Sequence, residues 1–195
     1  CFFPLHLEPE VALLNFSPEF NNSIEVITWI SKSLPADALL VVKEQAGSFG
    51  VRSHWYYSQI NKIGNVVLAD PDIHSWTWIK QSELIATITG TVGVEAVHMK
   101  KPVISFGKHQ IINHLQTVLY VESYKQTKSA IDWFLKGIIR EEDFESARLS
   151  LGASQLKSSI KLPEYESVYF SNNLEIEMAK KALKNLFSEY PVLLK

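Results

Sequence analysis

The chain has 195 residues, 46% hydrophobic and 21% charged, the balance of a globular protein rather than a disordered one and long enough for one domain with a helical appendage. Its formal net charge of -2 supplies no basic field for nucleic acid or an anionic membrane. The single cysteine, Cys1, excludes an internal disulfide and a cysteine-based zinc site, and no apolar run reaches the ~20 residues needed to cross a bilayer.

In chain order, residues 2–5 read as a first strand. They lack the basic, apolar and small-residue order of a signal peptide. An apolar run that starts at Cys1 rather than Met reads as a fragment with something before it. After a polar loop, Ile24, Ile27, Ile30 and Leu34 recur at helical spacing, until Pro35-Ala36-Asp37 breaks the pattern. Residues 38–42 form a continuous apolar run, as in a parallel sheet buried on both faces. A glycine-containing loop leads to an aromatic-rich helix near residues 53–63, and residues 65–69 form the next strand.

The alternation then continues with a short helix over 75–82, a strand over 84–89, a helix after Gly90 and a strand over 103–106. A sixth strand follows at 118–121, and Thr127 reads as the N-cap of a helix ending near Gly137. Strands separated by single helices predict right-handed crossovers and a Rossmann-like, doubly wound parallel α/β sheet over residues 1–139. Residues 140–195 read as a helical tail packing on the same domain. It has helical stretches over 141–160, a break at Pro163, a capping box at Asn172 and Glu175, and an apolar stripe of Ile176, Ala179, Leu183 and Phe187.

In such sheets ligands bind beyond the C-terminal ends of the strands. The most distinctive loop there is Thr89-Gly90-Thr91 with Gly93 and Glu95. Glycines admit a close backbone approach, helix-start amides and threonine hydroxyls offer donors to phosphate, and Glu95 can accept from sugar hydroxyls. A tight turn with a surface glutamate is the packing alternative. The stretch is neither a Walker A loop nor a GxGxxG fingerprint.

Lys43, Glu44 and Gln45 follow a buried strand and emerge at the same edge, where lysine can neutralise phosphate. Arg52, after Gly50, suits an anion contact, but reads first as a surface charge at a helix start. His6, Glu8 and Glu10 in the first loop offer groups for acid–base catalysis, against a structural histidine. The remaining histidines show no metal-ligand spacing, so no metal is expected.

The phrases FPLHLEPE, VVKEQ, NVVLADPDIHSW and TITGTVGVEAVHMKKPVISFG, in order from Phe3 to Gly107, resemble the capsule polysaccharide biosynthesis proteins, bacterial surface-carbohydrate enzymes that include transferases using a CMP-activated keto sugar. The resemblance implies half of a GT-B fold: the C-terminal, nucleotide-binding domain, with an N-terminal acceptor domain missing. It implies that Thr89, Gly90, Thr91, Gly93 and Glu95 bind the donor, with Lys43 and Glu44 near its phosphate. Related sequences often follow the Lys-Glu pair with His-Pro; here Gln45-Ala46 stands instead, so either the donor differs or Lys43 does more.

The expected function is therefore a glycosyltransferase-type domain. Its substrates would be a nucleotide sugar, CMP-linked, and a carbohydrate acceptor, with no other cofactor and no nucleic acid. It would be cytoplasmic, peripheral at the inner membrane face beside a polysaccharide assembly complex. A non-catalytic nucleotide- or carbohydrate-binding module and a CDP-polyol phosphotransferase domain are the alternatives.

Overall fold

The computed structural model describes residues 1–7, 14, 17–20, 22–45, 48 and 50–158. Glu8, Glu10 and the features expected beyond residue 158 lie outside them. The chain divides into two compact units, Cys1–Gly152 and Ala153–Lys195.

The strands are β1 (Phe2–Pro4), β2 (Leu40–Lys43), β3 (Val66–Ala69), β4 (Ile85–Thr87), β5 (Val103–Ser105) and β6 (Val118–Tyr120). The helices are α1 (Ser23–Ser33), α2 (His54–Asn61), α3 (Ser75–Gln81), α4 (Val92–His98), α5 (Tyr124–Leu135) and α6 (Glu141–Ser158). All neighbouring strands run parallel, in the order β3-β2-β1-β4-β5-β6. This is the doubly wound, Rossmann-like α/β sheet that the alternation predicts. The register sets Pro4 beside Lys43 and Lys43 beside Ala69, so the first three strands end level.

Because successive strand residues face opposite sides, the sheet divides the core in two. Phe3, Leu40, Val42, Ala86, Ile104 and Phe106 pack with Ile27 and Ile30 of α1, Ile60 of α2 and Ile131 of α5. Phe2, Ile85 and Val103 pack with Ile79 of α3, Ala96 and Val97 of α4 and Leu151 of α6. Each fully buried aliphatic or aromatic side chain contributes about 1.5–3 kcal/mol relative to exposure.

Four helix starts are capped by side chains, while the start of α4 at Thr91 carries no side-chain cap bond. Asn22, Ser53, His74 and Ser123 accept from the amides of Ile24, Tyr56, Trp76 and Gln126. Ser123 takes the place expected for Thr127. The threonine is buried one turn inside α5, where its hydroxyl donates back to the Ser123 carbonyl at 2.9 Å, so the helix begins a turn earlier. At the opposite edge of the sheet, Lys100 turns the chain out of α4 with a left-handed φ of 56°. Its ammonium meets Glu141 and Glu145 of α6 at 2.8 and 3.0 Å. Among the described residues no helix is long and apolar enough to cross a membrane.

Candidate functional site

From β1 the chain winds one way to β2 and β3; from β4 it winds the other way to β5 and β6. The loops leaving β1 and β4 therefore diverge and open a crevice, the position where doubly wound sheets hold ligands. Among the described residues a hydrogen bond crosses it: the Thr89 amide donates to His6 Nε2 at 2.9 Å.

His6 is buried, and burial lowers its pKa to about 4, with Arg52 adding to the shift and the Pro4 carbonyl opposing it. The imidazole is thus neutral at pH 7, with Nε2 as acceptor and the proton on Nδ1. Nδ1 has no partner in good hydrogen-bond geometry, although the Pro4 carbonyl is near enough to offset part of the burial effect.

The β4 loop is braced from below. Thr87 Oγ1 accepts from the Gly90 amide at 3.2 Å. A Cβ on Gly90 would stand 3.2 Å from His6 Nε2 and 3.3 Å from Thr87 Oγ1, so any side chain there crowds the crossing bond. Gly93 is a packing glycine: its Cβ would come within 2.6 Å of Ile112 Cδ1 and 3.0 Å of Thr87 Cγ2, which keeps α4 close against β4. Thr89 Oγ1 is buried without a partner. The exposed Thr91 hydroxyl donates to Glu95 Oε1 over a long 3.4 Å, and Glu95 is half-buried.

At the end of β2, Lys43 and Glu44 are both buried. Lys43 Nζ donates to the Glu44 carbonyl at 3.2 Å. The Glu44 carboxylate is occupied: Oε1 accepts from the Gln45 amide at 2.9 Å, and Oε2 accepts from Tyr57 Oη at 2.9 Å and from Arg52 Nη1. Burial first, then the bond to Glu44, raises the pKa of Tyr57, so the phenol keeps the proton it donates. Arg52 Nη2 donates to the His6 carbonyl. Arg52 is therefore no surface charge: its side chain is 9% exposed and ion-paired, because it is held between Glu44 at the start of its own loop and the His6 carbonyl in the loop after β1.

A third loop closes the far wall. Gln110 Nε2 donates to the Ile88 carbonyl at 3.1 Å, and Asn113 Nδ2 donates to the Gly107 carbonyl at 2.8 Å. Between this loop and β4 lies a cleft of about 210 Å³, with Thr89, Gly90 and Thr91 on one side and His109, Gln110 and Ile111 on the other. A larger hollow of about 760 Å³ opens at the opposite edge of the sheet, among Leu39, Leu84, Pro102 and Phe134. It contains none of the polar groups just described.

The structure thus gathers His6, Thr89, Gly90, Thr91 and Glu95 around the crevice and its adjoining cleft, and sets Lys43, Glu44 and Gln45 on the neighbouring strand end. The contributions of Arg52, Tyr57 and Thr87 were not foreseen. Of the three, only Arg52 carried a sequence signal, a cation just after a glycine at the ligand edge.

The sequence profile of the capsule polysaccharide biosynthesis proteins matches residues 13–111, just over half of the 195-residue chain. The chain belongs to that family. The matched span takes in Lys43, Glu44, Gln45 and residues 89–95, and begins after His6. No curated protein matches this family member in sequence.

Among solved structures it is similar to the glycotransferase of kitacinnamycin, at 13% identity over 78% of this chain and 39% of that one, TM-score 0.47. It is also similar to the UDP-GlcNAc 2-epimerase of Neisseria meningitidis bound to UDP-GlcNAc, at 18% identity over 80% of this chain and 43% of that one, TM-score 0.45. The chain spans about two fifths of the length of these proteins.

Proposed function

We propose that this capsule-family domain binds the nucleotide end of an activated sugar in the crevice between the β1 and β4 loops, as the donor half of a GT-B glycosyltransferase. The observation that carries the reading is the Thr89 to His6 hydrogen bond at the topological switch point of a family member. Around it stand groups suited to a nucleoside phosphate. Lys43 can offset phosphate charge, the exposed Thr91 hydroxyl can donate to an oxygen, and Glu95 can exchange its long bond to Thr91 for ribose hydroxyls. CMP is the nucleotide the family resemblance favours.

In this reading His6 is a positioning residue, because its one accepting nitrogen already holds the loop. Glu8 and Glu10 are the candidates for proton transfer. A second domain would bring the acceptor, exclude water and align the two substrates. Residues 1–195 alone are then expected to bind nucleotide weakly and to transfer no sugar. The commitment of His6 as a neutral acceptor also favours the second reading, a binding module without chemistry. Turnover of a CMP- or CDP-linked donor by the full-length protein separates the two.

The direct test is Glu95→Ala. A carboxylate accepting from ribose makes charge-assisted bonds worth about 1.5–3 kcal/mol each, so its loss should weaken CMP binding by roughly tenfold or more. The melting temperature should barely move, since Glu95 is half-buried and holds only the long bond to Thr91. Calorimetric titration of CMP, CDP and UDP against both proteins reads this. Equal affinities would remove Glu95 from the site.

A further inference from the structure

We propose that Arg52 is the positioning residue of the crevice: from the β2 loop, it fixes the hydrogen bond that joins the β1 and β4 loops. The guanidinium divides its two terminal nitrogens between two loops, Nη1 to the Glu44 carboxylate and Nη2 to the His6 carbonyl. Holding that carbonyl fixes the peptide from which the His6 side chain springs, and so the place of Nε2. Nε2 in turn receives the Thr89 amide. The anchor itself is rigid, because Glu44 is held by the Tyr57 hydroxyl and the Gln45 amide, and the guanidinium lies over the Tyr56 ring at 5.0 Å.

The energetics support positioning over stability. A buried ion pair recovers little beyond the cost of desolvating both charges, and its attested use is to select one arrangement. Arginine suits the role because its planar fork addresses two acceptors at a fixed angle, whereas a lysine ammonium is a single point. The outcome is a physical relay of three contacts across β2, β1 and β4, ending at the loop whose Thr89 and Gly90 line the cleft. Only the ligand part of the argument rests on the nucleotide reading above.

The test follows amide hydrogen exchange by NMR in the 195-residue chain, with CMP titration alongside. In Arg52→Met the Thr89 amide should exchange at least tenfold faster, while the Ile104 amide in β5 follows global stability only. CMP should bind at least tenfold more weakly. Arg52→Lys should restore part of the Thr89 protection, and Arg148→Gln on the surface of α6 should change neither readout.

Thr89 protection that is unchanged relative to Ile104 in Arg52→Met overturns the proposal, including the case where CMP binding falls, since Arg52 would then touch ligand directly. If Arg52→Met does not fold, Glu44→Gln and Arg52→Lys decide by the same amide: accelerated exchange supports the relay and unchanged exchange overturns it. If wild type binds none of CMP, CDP or UDP, the nucleotide reading fails while the Thr89 amide still judges Arg52.

Discussion

Replacing Gly107 with alanine is expected to lower the thermal midpoint by roughly 6–12 °C, or to prevent folding. The added Cβ would lie 2.1 Å from the Ile88 carbonyl oxygen and 3.1 Å from both Ile88 C and Gln110 Cγ. The oxygen is backbone at the end of β4, and it already accepts from Gln110 Nε2 at 3.1 Å, so it has no free direction of retreat. Overpacking costs about 1–3 kcal/mol, occasionally more; a backbone clash of this depth belongs at the top of that range. For a domain of this size each kcal/mol is worth about 2–4 °C. A melt of Gly107→Ala within about 2 °C of wild type would mean that the β5 loop is not held against β4 as described.

Acid should destabilise the protein through His6, and the sign follows from where the proton goes. Folded His6 titrates near 4, against about 6.5 when unfolded. Between those values the unfolded chain holds a proton that the folded one does not, so stability is complete above 6.5 and declines as pH falls towards 4. The total loss is roughly 3 kcal/mol. Below 4 the imidazolium would have no acceptor to offer Thr89, and the crevice loses its crossing bond. Other groups titrate in the same range, so the informative quantity is a difference. Urea unfolding at pH 7 and pH 4, for wild type and His6→Gln, should show a smaller pH dependence in the variant, because glutamine accepts a hydrogen bond without titrating. Identical pH dependence in the two proteins would mean that His6 reaches solvent.

The four inner strands were legible because they are largely buried on both faces, which writes an unbroken apolar run such as Leu40-Val41-Val42 into the chain. The edge strands β3 and β6 are equally apolar in sequence although only partly buried. The crevice was legible for a related reason: strand ends are easy to locate, and polar residues directly after them have few other uses. What local pattern could not convey was which of those residues are already occupied. Glu44 reads as a free carboxylate until Tyr57 and Arg52 are brought to it, and those come from the loop and helix that follow. His6 reads as an acid–base group until Thr89, 83 residues away, caps its nitrogen. Its apolar neighbour Leu5 is buried, whereas Leu7 is exposed, so the flanking residues gave no consistent hint of burial. The Ser123 cap was missed because Ser and Thr are equivalent by type. Only the packing of α5 against α1 decides that Thr127 lies inside the helix and is covered.

The central place of β1 has a consequence for biosynthesis. Its partner β2 follows within about forty residues, but the strand that covers its other edge, β4, ends only at Thr87. At a translation rate of about 5–20 residues per second, the interval between completing β2 and completing β4 is roughly 2–9 seconds. For that time the nascent chain carries an apolar strand, Phe2-Phe3-Pro4, with one row of backbone groups unpaired, the kind of edge that invites pairing with another copy. Polysomes making this protein, or a product truncated before β4, should therefore be more prone to association than the finished chain, and ribosome pausing in the codons between β3 and β4 would lengthen the exposure.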